Sequence, residues 1–481
     1  MKEKNGLLSL RRASHGVGSR GAATPTLAKA TIVGPRGLSQ LAIPRAHGEA
    51  DLFLAQMECG RGRFPAASGP GSSAFVCHSR GATAQLLRGL FSSGILAELS
   101  DCSPLMQFES ICSPVGGFGL RSSSAATVIF GHEWCVEMWR AAAICVIELM
   151  RQLRQRQLLL AAPTSWHVQF VNGQPRYANP GAIAQYSSTR FAKSVRSFVH
   201  EFGVPLALAA SGQRHLVSAY LRSHWRVPPA VGAESASFHA EHCRSAYPEK
   251  GKTLSTLRQS IEAISTSTAE PASMWAAYQR DDMSLTASGE WGYKQTMVSA
   301  ILERLRPRSV CDLAANAGWY ARLAARRGAA TVAIDLDDTC VNRMYRAINL
   351  AKDEVVPAQF DICSPAPSAG VEPLRMPSAL ERVRSEMVFA LAICHHLVFR
   401  EPYLSFVQVA HLLAGYSSRW CIAEFVPFGA TPANPYTAAD RDGSARWYNL
   451  GGFVASLKTT FRTVDVIEGP ALSRKLILCV K

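Results

Sequence analysis

From about Trp275 onward the chain alternates short apolar runs with longer stretches of helical period. The runs Ser309 to Leu313, Thr331 to Asp335, Val355 to Asp361, Met387 to Ala392, Trp420 to Phe425, Thr463 to Ile467 and Leu476 to Val480 predict seven strands. Most of the first five are continuously apolar, as expected of parallel strands covered on both faces, and seven strands suit one open sheet. The C-terminal part, 275–481, is therefore expected to be an α/β domain.

The earlier half is less regular. Residues 61–265 predict a mixed α+β region: a helix over Thr83 to Leu99, a core helix within His132 to Leu160, and helical pattern again over 190–223. Asn172 and Gly173, flanked by Val168 to Val171 and Pro175 to Ala178, predict a β-hairpin near 168–178. Small polar residues from Ser265 to Ala272 suggest a linker. Residues 1–60 are rich in Arg, Ser, Gly and Ala, show no period, and are expected to be disordered.

Composition narrows the function classes. The chain has 481 residues, 48% of them hydrophobic, enough for real cores, but no apolar stretch approaches the ~20 residues of a membrane span. Its net charge of +15 comes from dispersed arginines without interleaved aromatics, so nucleic acid is not an expected partner. The 13 cysteines lack paired spacing, which suits reduced thiols in a cytoplasm and argues against a metal site. Neighbours such as Cys394 and His395 point apart on a strand, which argues the same way.

The chemistry concentrates in SVCDLAANAGWYARLAARRGAATVAID, 309–335. It predicts a buried strand, a tight turn, a helix and a second strand ending in a carboxylate. Asp312 ends the first strand, Asn316 is placed to cap the helix, Gly318 allows close backbone approach, and Gly328 stops the helix. Asp335 is delivered where it can accept hydrogen bonds from ribose hydroxyls, with Asp337, two residues on, as its alternative. His395 and His396 follow the fourth strand at its carboxyl end, where open α/β sheets place ligands. Either could serve as a general base, and Glu424 is a further candidate on the same edge. Trp447, Tyr448 and Phe453 suit either a platform for a sugar ring or the core face of a helix.

This segment resembles class I AdoMet-dependent methyltransferases. DLAANAG at 312–318 is similar to the acidic, glycine-rich first motif of that family, VAIDLD to its ribose-binding motif, and FDI at 360–362 to its adenine-side acid. ALAICHHL at 390–397 and AEFVP at 423–427 are similar to its fourth- and fifth-strand segments. The resemblance implies a Rossmann-like seven-stranded sheet over 275–481 and S-adenosyl-L-methionine as cofactor. It places Asp312 near the amino acid moiety, Gly318 in the cofactor turn, Asp335 on the ribose and Asp361 toward the adenine amine. Ala314 stands where the family has glycine. If that position needs positive φ, alanine costs about 1–2 kcal/mol, and its methyl crowds the methionine part of the cofactor.

Upstream, HEWCVEMWRAAAICVIEL and SWHVQFVNGQPRYANPG resemble bacterial methyltransferase-like proteins that carry a kinase-like hairpin before the methyltransferase domain. The places where acids and asparagine would be expected hold Ala162, His167 and Asn179, so phosphoryl transfer is not expected. Taken whole, the chain resembles host-specificity nodulation proteins of symbiotic bacteria. That implies modification of a chitooligosaccharide signal or its precursor by a cytoplasmic methyltransferase with a small-molecule or oligosaccharide acceptor. The competing expectation is a non-catalytic interaction or regulatory protein on a degenerate scaffold, motivated by Ala314. Nucleic-acid modification is a third, suggested by net charge alone.

Overall fold

The computed structural model describes residues 76–222, 252–265, 275, 285, 291–428 and 446–481, with short gaps at 103, 114–116, 124–126, 162, 369–376, 401, 468 and 470–473. The disorder expected over 1–60, the linker over 265–272 except Ser265, and Ala162 lie outside the described residues. Every described residue belongs to one compact unit, 51–481.

The seven expected strands form one sheet: β1 Ser309–Leu313, β2 Ala330–Asp335, β3 Val355–Gln359, β4 Ser385–Ala390, β5 Ser417–Phe425, β6 Thr463–Ile467 and β7 Lys475–Val480. Their spatial order is 3-2-1-4-5-7-6, with β3, β2, β1, β4 and β5 parallel and β7 antiparallel to both β5 and β6. This is the seven-stranded Rossmann-like sheet that the sequence resemblance implied. Val310, Cys311, Leu313, Val332 to Ile334, Met387 to Ala390 and Cys421 to Ala423 are buried, so both sheet faces are covered and the continuous apolar runs are accounted for. Pro357, which cannot donate to a ladder, is tolerated because β3 is an edge strand of this sheet. Strand order reverses between β1 and β4, the topological switch point at which open α/β sheets bind ligands.

The region before residue 265 is mixed α+β. A three-stranded antiparallel sheet, Val76–Ser79, Phe118–Ser122 and Phe108–Ile111, accompanies helices Gly81–Ser92 and Ile95–Cys102. The single helix expected over Thr83 to Leu99 is thus two, because Gly94 at φ 80 breaks the run. The core helix is Val136–Gln155, and Val168–Val171 pairs with Gln174–Tyr177 as the expected hairpin. Asn172 and Gly173 turn it with φ of 52 and 70, the left-handed pair a type I′ turn needs.

This region docks on helix Asp338–Ala351, which follows β2. The backbone N–H groups of Val136 and Glu137 donate to Asp338 Oδ1 (3.3 Å) and Asn342 Oδ1 (3.1 Å), and Gln174 Nε2 donates to Asn349 Oδ1 (2.7 Å). Arg214 Nη2 reaches the carbonyl of Gln359 at the end of edge strand β3 (3.4 Å). One apolar core accordingly runs from Cys77 to Cys479 across both regions.

Candidate cofactor and acceptor site

A cavity of about 930 Å³ opens at the carboxyl ends of β1 to β4. Its wall includes Asp312 near the end of β1 and Ala314 to Asn316 after it, Asp335 at the end of β2 with Leu336 and Asp337 after it, Phe360 to Cys363 after β3, and Leu391 to Ile393 after β4. This volume is that of a typical small-molecule site. The sheet places these residues because each parallel strand ends on the same side.

Between β1 and helix Trp319–Arg326 the chain makes the close turn expected of it. Ala314 at φ 57, Asn316 at φ 53 and Gly318 at φ 75 are all left-handed. Gly318 is the helix N-cap, without a side-chain hydrogen bond, and a Cβ there would lie 2.7 Å from Met344 Sδ. Its hydrogen side chain is needed for packing as well as for φ; it is not among the lining residues. At the far end of the helix Gly328, at φ 89, terminates it as expected.

Asn316 does not cap the helix, contrary to expectation. Its Oδ1 accepts from the neighbouring Ala317 N–H (2.8 Å) and its Nδ2 donates to the carbonyl of Trp275 (2.8 Å). Its own left-handed backbone aims its side chain back along the turn, while its N–H donates to Asp335 Oδ2 (2.8 Å).

Asp335 Oδ1 also accepts from the N–H of Asp337 (2.9 Å), so this carboxylate pins the turn after β1 to the turn after β2 while lining the cavity. Burial raises its pKa, against the backbone N–H groups of Asp337 and Asn316 that favour the charged form. Asp337, the alternative, caps helix Asp338–Ala351: Oδ1 accepts from Thr339 N (2.8 Å) and Cys340 N (3.2 Å). Asp361 is exposed, lines the cavity, and accepts from the N–H of Cys363 (2.8 Å).

Asp312 is 2% exposed, and its Oδ2 has no hydrogen-bond partner among the described residues. Burial, then the charge of Asp335, pushes its pKa up to about 8. Asp312 is one of the residues lining the cavity, and an unmatched buried acceptor is costly by itself, a cost that a donor or cation from a ligand would offset.

Ala314 is held in the conformation that the sequence reading anticipated. A left-handed alanine costs about 1–2 kcal/mol, against the roughly 0.5–1 kcal/mol that glycine adds to the flexibility of the unfolded chain. Ala314→Gly is therefore expected to raise the melting temperature slightly and, by removing a methyl from the cavity wall, to tighten binding of the AdoMet that the sequence resemblance implies. Thermal unfolding and calorimetry on the two chains check both effects, and a drop in melting temperature would show that the methyl packs usefully.

The candidate bases separate. His396 lines the cavity, with its ring 4.7 Å from that of Trp275. His395 is buried, 3.9 Å from the His396 ring, and is not among the lining residues. Burial, the neighbouring imidazole, Arg474, Arg400 and Lys294 lower the pKa of His395 to about 3, and burial, Arg400 and Arg474 lower that of His396 to about 4. Both are neutral at physiological pH and weak as proton acceptors. Glu424, 1% exposed, also stands outside the lining; it accepts from Lys294 Nζ (3.1 Å) and lies 3.6 Å from Arg474 Nη1. Tyr448 and Phe453 are buried among Phe399, Phe406 and Phe425, the helix-core alternative, while Trp447 is 52% exposed.

Lys294, Gln295, Tyr320 and Arg400 also line the cavity and were not singled out in the sequence. Lys294 precedes β1 on helix Tyr293–Leu305, outside any local motif, and only packing of that helix brings it to the sheet edge.

No protein-family model matches the chain. It is similar to the nodulation protein NoeA of Rhizobium meliloti (strain 1021), with 23% identity over 428 residues, 82% of this chain and 87% of that protein. Among solved structures it is similar to an O-methyltransferase family protein from Burkholderia thailandensis, at 17% identity over 39% of this chain and 56% of that one, TM-score 0.27. The match spans little more than half of that protein. Magnesium protoporphyrin IX methyltransferase ChlM from Synechocystis PCC 6803, solved with bound SAM, matches at 11% identity over 39% of this chain and 79% of its own, TM-score 0.27. The bifunctional kinase-methyltransferase WbdD matches at 16% identity over 39% and 38% of the two chains, TM-score 0.28.

Proposed function

We propose that this chain is an AdoMet-dependent methyltransferase acting on a small-molecule or oligosaccharide acceptor, a chitooligosaccharide nodulation signal or its precursor, in host-specific nodulation. The observation that carries the reading is the unmatched, buried Oδ2 of Asp312 at the wall of a cavity whose other carboxylates are Asp335, Asp337 and Asp361. The residues fit the cofactor: Asp312 offers an anion to an amino group, the left-handed turn at Ala314 to Gly318 brings backbone close, Asp335 has lone pairs left for hydroxyls, and Asp361 can accept from an amine. When bound, AdoMet supplies an activated methyl group. The protein's own part is alignment and exclusion of water, which account for much of the rate in such transfers. His396, neutral and at the wall, orients the acceptor by hydrogen bonding; Glu424 and His395 act behind the wall, Glu424 by holding Lys294 in place. Residues 275–481 form the cofactor-binding domain in this reading, and residues 61–265 help select the acceptor.

Cofactor binding has a proton signature. With its pKa near 8, Asp312 is mostly protonated at neutral pH without ligand, and a cation placed against it favours the charged form. AdoMet binding is therefore expected to release a proton at pH 7 and none well above pH 8. Calorimetry in buffers of different ionisation enthalpy measures this directly, and Asp312→Asn should abolish it. Binding of normal strength without proton release would remove Asp312 from the amino-group role.

The left-handed Ala314 also supports a second reading, a non-catalytic interaction protein on this scaffold. AdoMet binding without turnover on any oligosaccharide acceptor favours it; turnover removes it.

A further inference from the structure

We infer that Arg214, in the region before the sheet domain, is a positioning residue for the cofactor and holds the adenine and ribose end of the cavity from outside it. The inference rests on the reading of the cavity as an AdoMet site and adds what fixes its nucleoside end.

That end of the wall is built from two neighbouring strand ends, Asp335 to Asp337 at β2 and Phe360 to Cys363 after β3. β3 is an edge strand, with a ladder on one side only. Within the domain Gln359, its last residue, joins the two segments: Nε2 donates to the carbonyl of Leu336 (3.2 Å), which lines the cavity. From outside the domain, Arg214 Nη2 donates to the carbonyl of the same Gln359 (3.4 Å), immediately before Phe360. Arg214 Nη1 lies 3.7 Å from Oδ1 of Asp338, immediately after Asp337. One guanidinium therefore meets the residue adjoining each of the two wall segments. Neither Arg214 nor Gln359 nor Asp338 lines the cavity, so any effect of Arg214 on a ligand passes through the wall.

The guanidinium is itself anchored. Nη1 donates to the carbonyl of Trp134 and Nη2 to that of His132 (3.0 Å), both in the segment that leads into the core helix. Trp134 is fully buried against Trp139 and Phe170, which makes this segment a firm support. A planar fork of donors can serve three carbonyls and a carboxylate together, whereas an ammonium on a flexible stem presents a single point of charge. The contacts thus run from the upstream core, through one side chain, to the backbone on which Asp335 and Asp361 are carried. A ligand held by several groups at once loses affinity when the backbone carrying them shifts, even where no contact is removed.

The test measures binding of S-adenosylhomocysteine and of adenosine to the full chain and to Arg214→Met and Arg214→Lys, with circular dichroism to confirm folding. A further variant, Gln174→Ala with Arg346→Met, serves as the docking control. It removes the bonds from Gln174 to Asn349 and from Arg346 to Glu137, which join the same two regions toward the far end of helix Asp338–Ala351. The expected result is a loss of about tenfold in Arg214→Met, by the same factor for both ligands because the nucleoside is common to them. Arg214→Lys should lose about threefold, since the charge facing Asp338 is kept and the fork is not, and it carries the test if the methionine variant does not fold. The docking control should bind both ligands like the unaltered chain. Unchanged affinity in the Arg214 variants, a loss for S-adenosylhomocysteine without one for adenosine, or an equal loss in the docking control overturns the inference. Those outcomes leave the cofactor reading standing, whereas failure of the unaltered chain to bind either ligand removes that reading and this inference with it.

Discussion

Asp335→Ala is expected to reduce AdoMet affinity by on the order of a hundredfold or more, abolishing saturable binding in calorimetry. Hydrogen bonds to a charged acceptor contribute roughly 1.5–3 kcal/mol each, so losing the two ribose contacts proposed for Asp335 corresponds to that factor. The carboxylate also joins two turns, accepting from Asn316 N and Asp337 N, so alanine loosens the backbone of both turns at the cavity. Asp335→Asn, which keeps one oxygen acceptor and the shape, should fall between the two. If the alanine variant binds AdoMet like the unaltered chain, the ribose role passes to another group, with Asp337 disfavoured because it is engaged as a helix cap. No binding at millimolar AdoMet by a folded wild-type chain would sink the enzyme reading altogether.

Arg382→Ala should produce the largest loss of stability, about 3–5 kcal/mol, because it strands a carboxylate in the core. Glu133 is 0% and Arg382 2% exposed. Arg382 Nη1 donates to Glu133 Oε2 (2.9 Å) and to the carbonyl of Val128 (2.7 Å), Nη2 donates to Glu133 Oε1, and the guanidinium stacks 4.3 Å from the Phe130 ring. Glu133 Oε2 accepts from Phe130 N as well (2.8 Å). The pair thus fastens the segment before the core helix to the short helix Ala379–Val383 that leads into β4. Replacing both partners, as Glu133→Gln with Arg382→Met, should recover much of the loss, since no charge is then left buried. Denaturant unfolding of the single and double variants measures the difference; a single variant within 1 kcal/mol of wild type would show that water reaches Glu133.

The same pair sets a pH dependence. Burial raises the Glu133 pKa, but Arg382, by charge and hydrogen bond, together with His132 and the Phe130 N–H, holds it below the usual glutamate range. A carboxyl depressed in the folded state contributes stability that is present above its unfolded pKa and lost as pH falls through the folded one. The contribution should therefore be complete at neutral pH and decline on acidification below the ordinary glutamate range. The decline should be missing from the double variant.

The strands of the large sheet were legible because most of the first five are runs of apolar residues bounded by polar or turn-forming ones, and burial on both faces leaves little alternation to confuse the period, whereas edge strand β6 alternates exposed and buried over Thr463 to Asp465. Their ends moved by a few residues at most, as with Asp361, which lies beyond the end of β3. The hairpin at Asn172 and Gly173 was equally plain, since only left-handed residues close such a turn. Gly94 was a readable break that the helical period of its flanks concealed. Asn316 misled because asparagine caps helices by a local rule, and here its own left-handed backbone points the side chain elsewhere.

The sequence by itself determined what local chemistry controls: the strand pattern, the turn after β1, the carboxylates at the strand ends and the alanine at φ 57. Tertiary structure alone decided which candidates face the cavity, setting His396 in the wall and leaving His395 and Glu424 outside it. It also brought Lys294 and Arg400 to the wall of one cavity, and Glu133 to Arg382 across the core. The reason is physical: backbone conformation and hydrophobic period act over a few neighbours, whereas charge pairing and cavity lining depend on which distant elements the sheet order places side by side.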